Sequence, residues 1–353
     1  MIKIGIIILL VLCLTLLLLT GCIVNTVIPE TAIGNLENQE NTEEPVIENT
    51  EEPVMWSGLG MGLYYHQESY VDTLLANGFE DLRIDIPDYQ NTAWLAYSKA
   101  TLPGIIAKGA KVIWGVSSNK GNNTDYIITA ENWSTFRQAI LDNAQWAQNN
   151  GVYEFQLGNE EELHVDGTTM TVAQIIANLK SVATDVQEIF TNRNVSYSCP
   201  QSSIDDWITA DKGDIDILAS NIYRGGCGFY NDNWKTDITN LVNAFGVDGT
   251  YLTEFAISGS SLDDYSTDEA VQAIAVTEMI EYIKASGMKR ALFYTWRDYT
   301  GGLFGVVKAD GTYRLLWNQA LLNSGSVKSI TVPAKTATIS LLNTIALIPK
   351  ITR

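Results

Sequence analysis

The sequence predicts an α/β protein with the architecture of a (β/α)8 TIM barrel, because short apolar runs alternate with longer segments of helical periodicity from residue 57 to 323. Eight such pairs fit the length of a barrel, which typically needs about 250 residues. The predicted strands are 57–63, 80–86, 111–117, 153–158, 195–199, 215–222, 251–256 and 290–296. The predicted helices are 67–77, 92–108, 131–149, 171–191, 203–211, 234–245, 267–285 and 313–323.

The residue patterns of two segments illustrate how these elements are predicted. In 131–149, Trp133, Phe136 and Ile140 recur at helical spacing, and Gly151 follows the segment, as is common after a helix. The run 111–117 is almost continuously apolar, which is typical of a parallel strand that is buried on both faces.

A doubly wound open sheet is the alternative fold. That fold is expected to carry a Gly-rich phosphate loop at the start of a helix, and the sequence has no Gly-x-Gly-x-x-Gly in such a place. Gly58, Gly60 and Gly62 instead alternate along the first predicted strand, which favours close packing in a barrel wall.

The N-terminal residues have the pattern of an export signal. Lys3 precedes an apolar run over 4–19, and the segment ends in Leu-Thr-Gly-Cys at 19–22. This ending resembles the cleavage site of prokaryotic lipoproteins, which implies a signal peptide over 1–21 and a lipid on Cys22. An uncleaved membrane anchor is the alternative, since roughly 17–25 apolar residues span a bilayer. In both cases we expect the remaining chain outside the cytoplasm.

Residues 22–55 are predicted to form an acidic, disordered tether. The segment contains eight glutamates and no Lys or Arg, and Asn-Thr-Glu-Glu-Pro-Val occurs at both 41–46 and 49–54. Such a segment has too little apolar surface to fold. We therefore expect the barrel in 56–326. The extension 327–353 alternates apolar and small polar residues and is expected either to add a strand or to pack under the barrel.

The charge and the cysteines limit the partners and the covalent links. A net charge of −19 argues against nucleic-acid binding. We also expect the protein to be a monomer. Cys13 would leave with the signal, so Cys199 and Cys227 remain for the extracytoplasmic domain. An even pair outside the cytoplasm suggests one disulfide, while two free thiols are the alternative.

Polar and aromatic residues stand at the C-terminal ends of several predicted strands, where the chemistry of such barrels takes place. These residues are Arg83, Asn159, Glu160, Asn221, Tyr223, Glu254 and Trp296. Glu254 is the most informative, because an isolated carboxylate between Leu252 and Phe255 requires a partner or a function.

This ordered set resembles the clan A glycoside hydrolases, retaining barrel enzymes that include many cellulases, mannanases and xylosidases. The resemblance covers residues 56 to 325 and implies that Glu160 is the acid/base and Glu254 the nucleophile. The two residues are 94 positions apart, which equals three barrel units of about 31 residues. In many clan members Pro follows the Asn-Glu pair, whereas Glu161 stands here.

The resemblance also implies roles for the other residues. Arg83 would keep the nucleophile ionised, Tyr223 would hydrogen-bond it, and Asn159 would bind the sugar 2-hydroxyl. Trp296 would form an apolar floor beneath the sugar, while a place in the core is the alternative for this residue. Asn221 stands where many members have His, and no metal or organic cofactor is expected.

Two histidines lie just beyond predicted strand ends. His66 and His164 are each expected either to contact substrate or to lie at the surface. Two separate histidines without a Cys or Asp cluster argue against a zinc site.

The sequence therefore predicts an extracytoplasmic retaining glycoside hydrolase that cleaves a β-linked polysaccharide or oligosaccharide. A glycan- or solute-binding lipoprotein without turnover is the alternative, and it would be expected to have two open lobes. A barrel that binds sugar but has lost catalysis is a further alternative.

Overall fold

The protein forms a closed barrel of eight parallel strands, with each strand paired to its neighbours along the chain. The computed structural model describes residues 58–64, 66–118, 127–224, 233–257, 269–298, 304–322 and 325. The strands are β1 Leu59–Leu63, β2 Asp81–Ile84, β3 Lys111–Gly115, β4 Glu154–Asn159, β5 Asn194–Pro200, β6 Ile217–Arg224, β7 Leu252–Ile257 and β8 Ala291–Phe293. The predicted (β/α)8 TIM barrel is confirmed.

Helices separate the strands. The α-helices are α1 Val71–Ala76, α2 Thr92–Ala107, α3 Trp133–Asn149, α4 Val172–Ile189, α5 Ile204–Ala210, α6 Trp234–Phe245 and α7 Glu269–Ala285. Short 3-10 helices cover Glu68–Tyr70, Glu161–His164 and Gln201–Ser203. The helix predicted at 313–323 is instead a π-helix over Trp317–Leu321, where the Trp317 ring packs edge-on against the Trp296 ring.

Helix α4 shows how the sequence specifies these elements. The Thr171 side chain accepts the backbone N–H of Gln174, and the Gln174 side chain accepts the N–H of Thr171, so the first turn is capped at both positions. Ile175, Leu179 and Val182 then recur on one buried face. Capping and apolar spacing together fix the start of the helix and the face that contacts the barrel.

Arg290 and Glu154 form a buried ion pair inside the barrel. Arg290 bonds Glu154, which is fully buried, and lies 3.4 Å from the Asp81 carboxylate. The guanidinium also stacks on the Tyr251 ring at 3.8 Å from its centroid, and the Tyr251 hydroxyl donates to Glu154 at 2.5 Å. These contacts satisfy charges that would otherwise be buried without partners.

Several predictions fall outside the described residues. The signal peptide 1–21, Cys22, the tether 22–55 and the extension 327–353 all lie there. Cys199 is a buried free cysteine, whereas Cys227 lies outside the described residues. The predicted disulfide between Cys199 and Cys227 therefore stays a prediction. Of the helices that the structure describes, none has the length and hydropathy of a membrane span.

We predict that Arg290→Ala lowers the free energy of unfolding by about 3–5 kcal/mol, because it leaves the Glu154 carboxylate buried without its cation. Urea denaturation followed by circular dichroism measures this loss. Lys289→Ala is the control, since it removes an exposed pair with Asp248 that is worth roughly 0–1 kcal/mol. Equal losses in the two variants would contradict the importance of the buried pair.

Candidate active site

One guanidinium joins three strands at the C-terminal end of the barrel. Arg83 on β2 is 4% exposed and donates through Nη1 to Glu254 Oε1 at 2.6 Å. Its Nη2 donates to Asn159 Oδ1 at 2.8 Å, and its Nε donates to Gln156 Oε1 at 2.8 Å. The fixed fork of the guanidinium thereby sets the distance between β4 and β7 at this level.

Glu254 on β7 has a hydrogen bond at each carboxylate oxygen. Arg83 donates to Oε1 and the Tyr223 hydroxyl donates to Oε2. The carboxylate is 8% exposed, so it is largely desolvated but still reachable. Two donors on opposite oxygens fix the orientation of the group, as a nucleophile requires.

Asn159 and Asn221 connect β4 to β6 beside this carboxylate. Asn221 is paired in register with Glu254, and its Nδ2 donates to Asn159 Oδ1 at 3.2 Å. Asn221 Oδ1 accepts the hydroxyls of Ser198 and Thr253, both at 2.9 Å. Asn159 Oδ1 therefore has two donors, and its Nδ2 has no partner among the described residues and is available to a ligand.

Glu160 follows Asn159 at the end of β4 and is 9% exposed. Its backbone has φ 57° and ψ 36°, a left-handed conformation that is uncommon for residues other than glycine. The Glu160 N–H donates to the Ser198 carbonyl at 2.8 Å. The chain therefore turns sharply at Glu160, directly after the residue that Arg83 holds.

Glu161 and Glu162 are buried although they follow in the same acidic run. Burial raises the pKa of each carboxyl to about 7, against the hydrogen bonds that lower it. Among the described residues, no Lys or Arg pairs with either carboxyl. Their burial is not visible in the sequence, because a run of glutamates is usually typical of a solvated loop.

The expected floor residue Trp296 lies in the core. It is 1% exposed and packs against Tyr70, Tyr313 and Trp317 at centroid distances of 5.4–6.0 Å. This burial corresponds to the core alternative for Trp296. Strand β8 ends at Phe293, so Trp296 lies beyond the regular strand.

Tyr294 is the aromatic residue that adjoins the site instead. Its half-buried ring lies 6.2 Å from the ring of Tyr223, whose hydroxyl bonds Glu254. Phe304 packs on both rings, at 5.5 Å from Tyr223 and 5.8 Å from Tyr294. Its place at the end of β8 is the feature of the sequence that could have indicated this residue.

The two histidines lie apart from each other in the sequence and have different surroundings. His66 is exposed, and its ring meets the Tyr97 ring edge-on at 4.4 Å. His164 ends the 3-10 helix Glu161–His164, and burial lowers its pKa. Its Nε2 is buried without a hydrogen-bond partner among the described residues. Across all the residues that the structure describes, no group of three His, Cys, Asp or Glu side chains is arranged to hold a metal ion.

The fold is similar to that of several solved glycoside hydrolases. The catalytic domain of the major endoglucanase from Xanthomonas campestris pv. campestris aligns with a TM-score of 0.57 and 12% identity, over 76% of this chain and 94% of that chain. A family 5 xyloglucanase from Paenibacillus pabuli aligns with a TM-score of 0.56 and 13% identity, over 77% and 98% of the two chains.

An exo-beta-1,4-mannosidase from Opitutaceae bacterium strain TAV5 aligns with a TM-score of 0.58 and 13% identity, over 75% of this chain and 59% of that chain. At these identities the likeness shows the shared fold. No protein-family model and no curated protein matches the sequence. The comparisons therefore show the fold, and the evidence for a function lies in the residues of the site.

We predict that burial of Glu162 makes stability depend on pH. Its pKa rises from 4.5 to about 7 on folding, so its contribution is complete below pH 4.5 and is lost as the pH rises through 7. Glu162→Gln is neutral at every pH. The free energy of unfolding of the wild type, relative to this variant, should fall by on the order of 3 kcal/mol across that range.

Urea denaturation at several pH values between 4 and 8 measures this difference. Glu278→Gln is a control of opposite sign, because hydrogen bonds from Lys235 and Arg224 lower the Glu278 pKa. The free energy of unfolding of the wild type, relative to Glu278→Gln, should be higher above pH 4.5, and this difference should be lost as the pH falls. A difference between wild type and Glu162→Gln that does not change with pH would contradict the prediction.

Proposed function

We propose that the protein is an extracytoplasmic retaining glycoside hydrolase that cleaves β-linked polysaccharides or oligosaccharides, with Glu254 as nucleophile and Glu160 as acid/base. The observation that carries this proposal is the single guanidinium of Arg83, which bonds both Glu254 and Asn159. Because Glu160 directly follows Asn159, this contact ties the two carboxyl-bearing strands together at one end of the barrel.

In the first step, Glu160 donates its proton to the glycosidic oxygen while Glu254 attacks the anomeric carbon. The bond to the leaving sugar breaks, and a glycosyl ester forms on Glu254. In the second step, Glu160 takes a proton from water, whose oxygen attacks the same carbon and releases Glu254. This mechanism requires carboxyl groups that stand roughly 5–5.5 Å apart.

The neighbouring residues supply orientation. Arg83 and Tyr223 hold the two oxygens of Glu254. The Nδ2 of Asn159, which has no partner among the described residues, would donate to the sugar 2-hydroxyl. The ring of Tyr294, rather than that of Trp296, would lie beneath the sugar, since aromatic faces pack well against its apolar C–H groups. The reaction as proposed needs no cofactor.

The proposed location follows from the N-terminal sequence alone. A lipid on Cys22 would anchor the protein at a membrane, and the acidic segment 22–55 would separate the barrel from that surface. An enzyme at this location would meet sugar polymers that cannot enter the cell.

The proposal predicts a covalent intermediate. The wild-type protein is incubated with 2-fluoro glycosyl fluorides of several sugars, and intact-protein mass spectrometry should show one added fluorosugar, which peptide mapping places on Glu254. Glu254→Gln should not be labelled and should lose at least roughly a thousandfold in kcat, because a covalent route is closed. Sugar binding without label or turnover would favour the binding-only alternative.

We further predict different effects for two aromatic substitutions. Tyr294→Ala should lower kcat/KM by about tenfold, equivalent to about 1.4 kcal/mol, because it removes a ring beneath the sugar. Trp296→Phe should lower the melting temperature and leave kcat/KM within roughly twofold, since its side chain is core. Steady-state kinetics and thermal unfolding measure these effects. A loss of kcat/KM in Trp296→Phe but not in Tyr294→Ala would indicate that Trp296 lies beneath the sugar.

A further inference from the structure

The buried carboxyls of Glu161 and Glu162 take no direct part in the proposed reaction, which uses Glu160 and Glu254. They follow Glu160 directly, and each side chain contacts a different neighbouring strand or loop. Glu161 and Glu162 therefore hold the turn that carries Glu160 from two sides.

Glu161 contacts the segment that follows β3. Its carboxylate accepts the Ser118 N–H at 3.2 Å, and it also accepts the Ser118 hydroxyl. The Glu161 carboxylate also accepts the backbone N–H of Asn159 at 3.0 Å. This hydrogen bond connects the residues on either side of Glu160. A Cβ on Gly158 would lie only 2.7 Å from Glu161 Cγ, which explains why glycine stands at this position.

Glu162 contacts β5 and α5 on the other side. The Tyr197 hydroxyl donates to Glu162 Oε2 at 2.5 Å, and Trp207 Nε1 donates to the other oxygen. The Tyr197 oxygen also accepts the backbone N–H of Glu161 at 2.9 Å. One buried hydroxyl thus joins both residues that follow Glu160.

Stability alone does not account for this arrangement. A carboxyl that is buried among neutral donors loses its hydration without gaining a cation, and apolar residues of similar volume are often at least as stable in such places. The hydrogen bonds do, however, fix the backbone on both sides of Glu160, which has the left-handed conformation. A general acid needs such control of its position.

We propose that Glu161, Glu162 and Tyr197 are positioning residues that aim the Glu160 carboxyl at the glycosidic oxygen. The inference rests on the proposed glycosidase activity and deepens it. These residues do not touch substrate. They act by holding the turn, so their loss should weaken proton donation by Glu160 more than attack by Glu254.

The test uses two aryl β-glycosides of the sugar that labels Glu254. A phenyl leaving group needs the proton from Glu160, whereas 2,4-dinitrophenolate departs without one. Tyr197→Phe keeps the ring and removes both hydrogen bonds of the hydroxyl. It should lower kcat/KM by roughly tenfold or more for the phenyl glycoside and by less than about threefold for the dinitrophenyl glycoside. Glu161→Gln should show the same selectivity.

Tyr251→Phe is the matched control, because it removes a hydroxyl bond of the same length to a buried glutamate at the opposite end of the barrel. It should leave the ratio of the two kcat/KM values unchanged. Equal losses on both glycosides in Tyr197→Phe, or no loss, would overturn the positioning role while the wild type remains active. A folded wild type that cleaves neither glycoside would instead refute the glycosidase proposal, and the inference with it.

Discussion

The buried guanidinium of Arg83 is the contact on which the candidate site depends. It bonds Glu254 on β7 and two side chains on β4, Gln156 and Asn159, so strands on different sides of the barrel are held at fixed distances. A lysine in this place would lack the planar fork that makes three directed bonds. The guanidinium also compensates the charge of a largely desolvated carboxylate.

The buried arginine–carboxylate pairs among the described residues include Arg290 with Glu154 and Arg83 with Glu254. The first pair has a stacked tyrosine and a second carboxylate nearby. The second pair has a half-buried tyrosine ring beside it, and an asparagine whose Nδ2 has no partner in the part of the chain that the structure describes. The same electrostatic element thus supports the fold in one place and a candidate reaction centre in the other.

The places of five predicted site residues follow from their strands. Arg83, Asn159, Asn221, Tyr223 and Glu254 stand at the C-terminal ends of buried strands, and parallel strands of a barrel end at the same rim. The structure joins these five side chains in one hydrogen-bond network. Glu160 is at the predicted place after β4, while its catalytic role stays a prediction.

Sequence reasoning failed where the regular geometry ends. Trp296 lies beyond the end of β8 at Phe293, and its side chain packs in the core. The burial of Glu161 and Glu162 was also missed, because their hydrogen-bond donors come from residues far away in the sequence, such as Ser118 and Trp207.

The sequence by itself determined the eight strand–helix units and the strand ends at which polar side chains meet, because periodicity and chain length restrict parallel barrels to few arrangements. Only the tertiary structure decided which side chains enter the site and which enter the core. That decision depends on contacts between distant segments, such as Tyr197 with Glu162 and Trp296 with Trp317, and local patterns carry no information about such contacts.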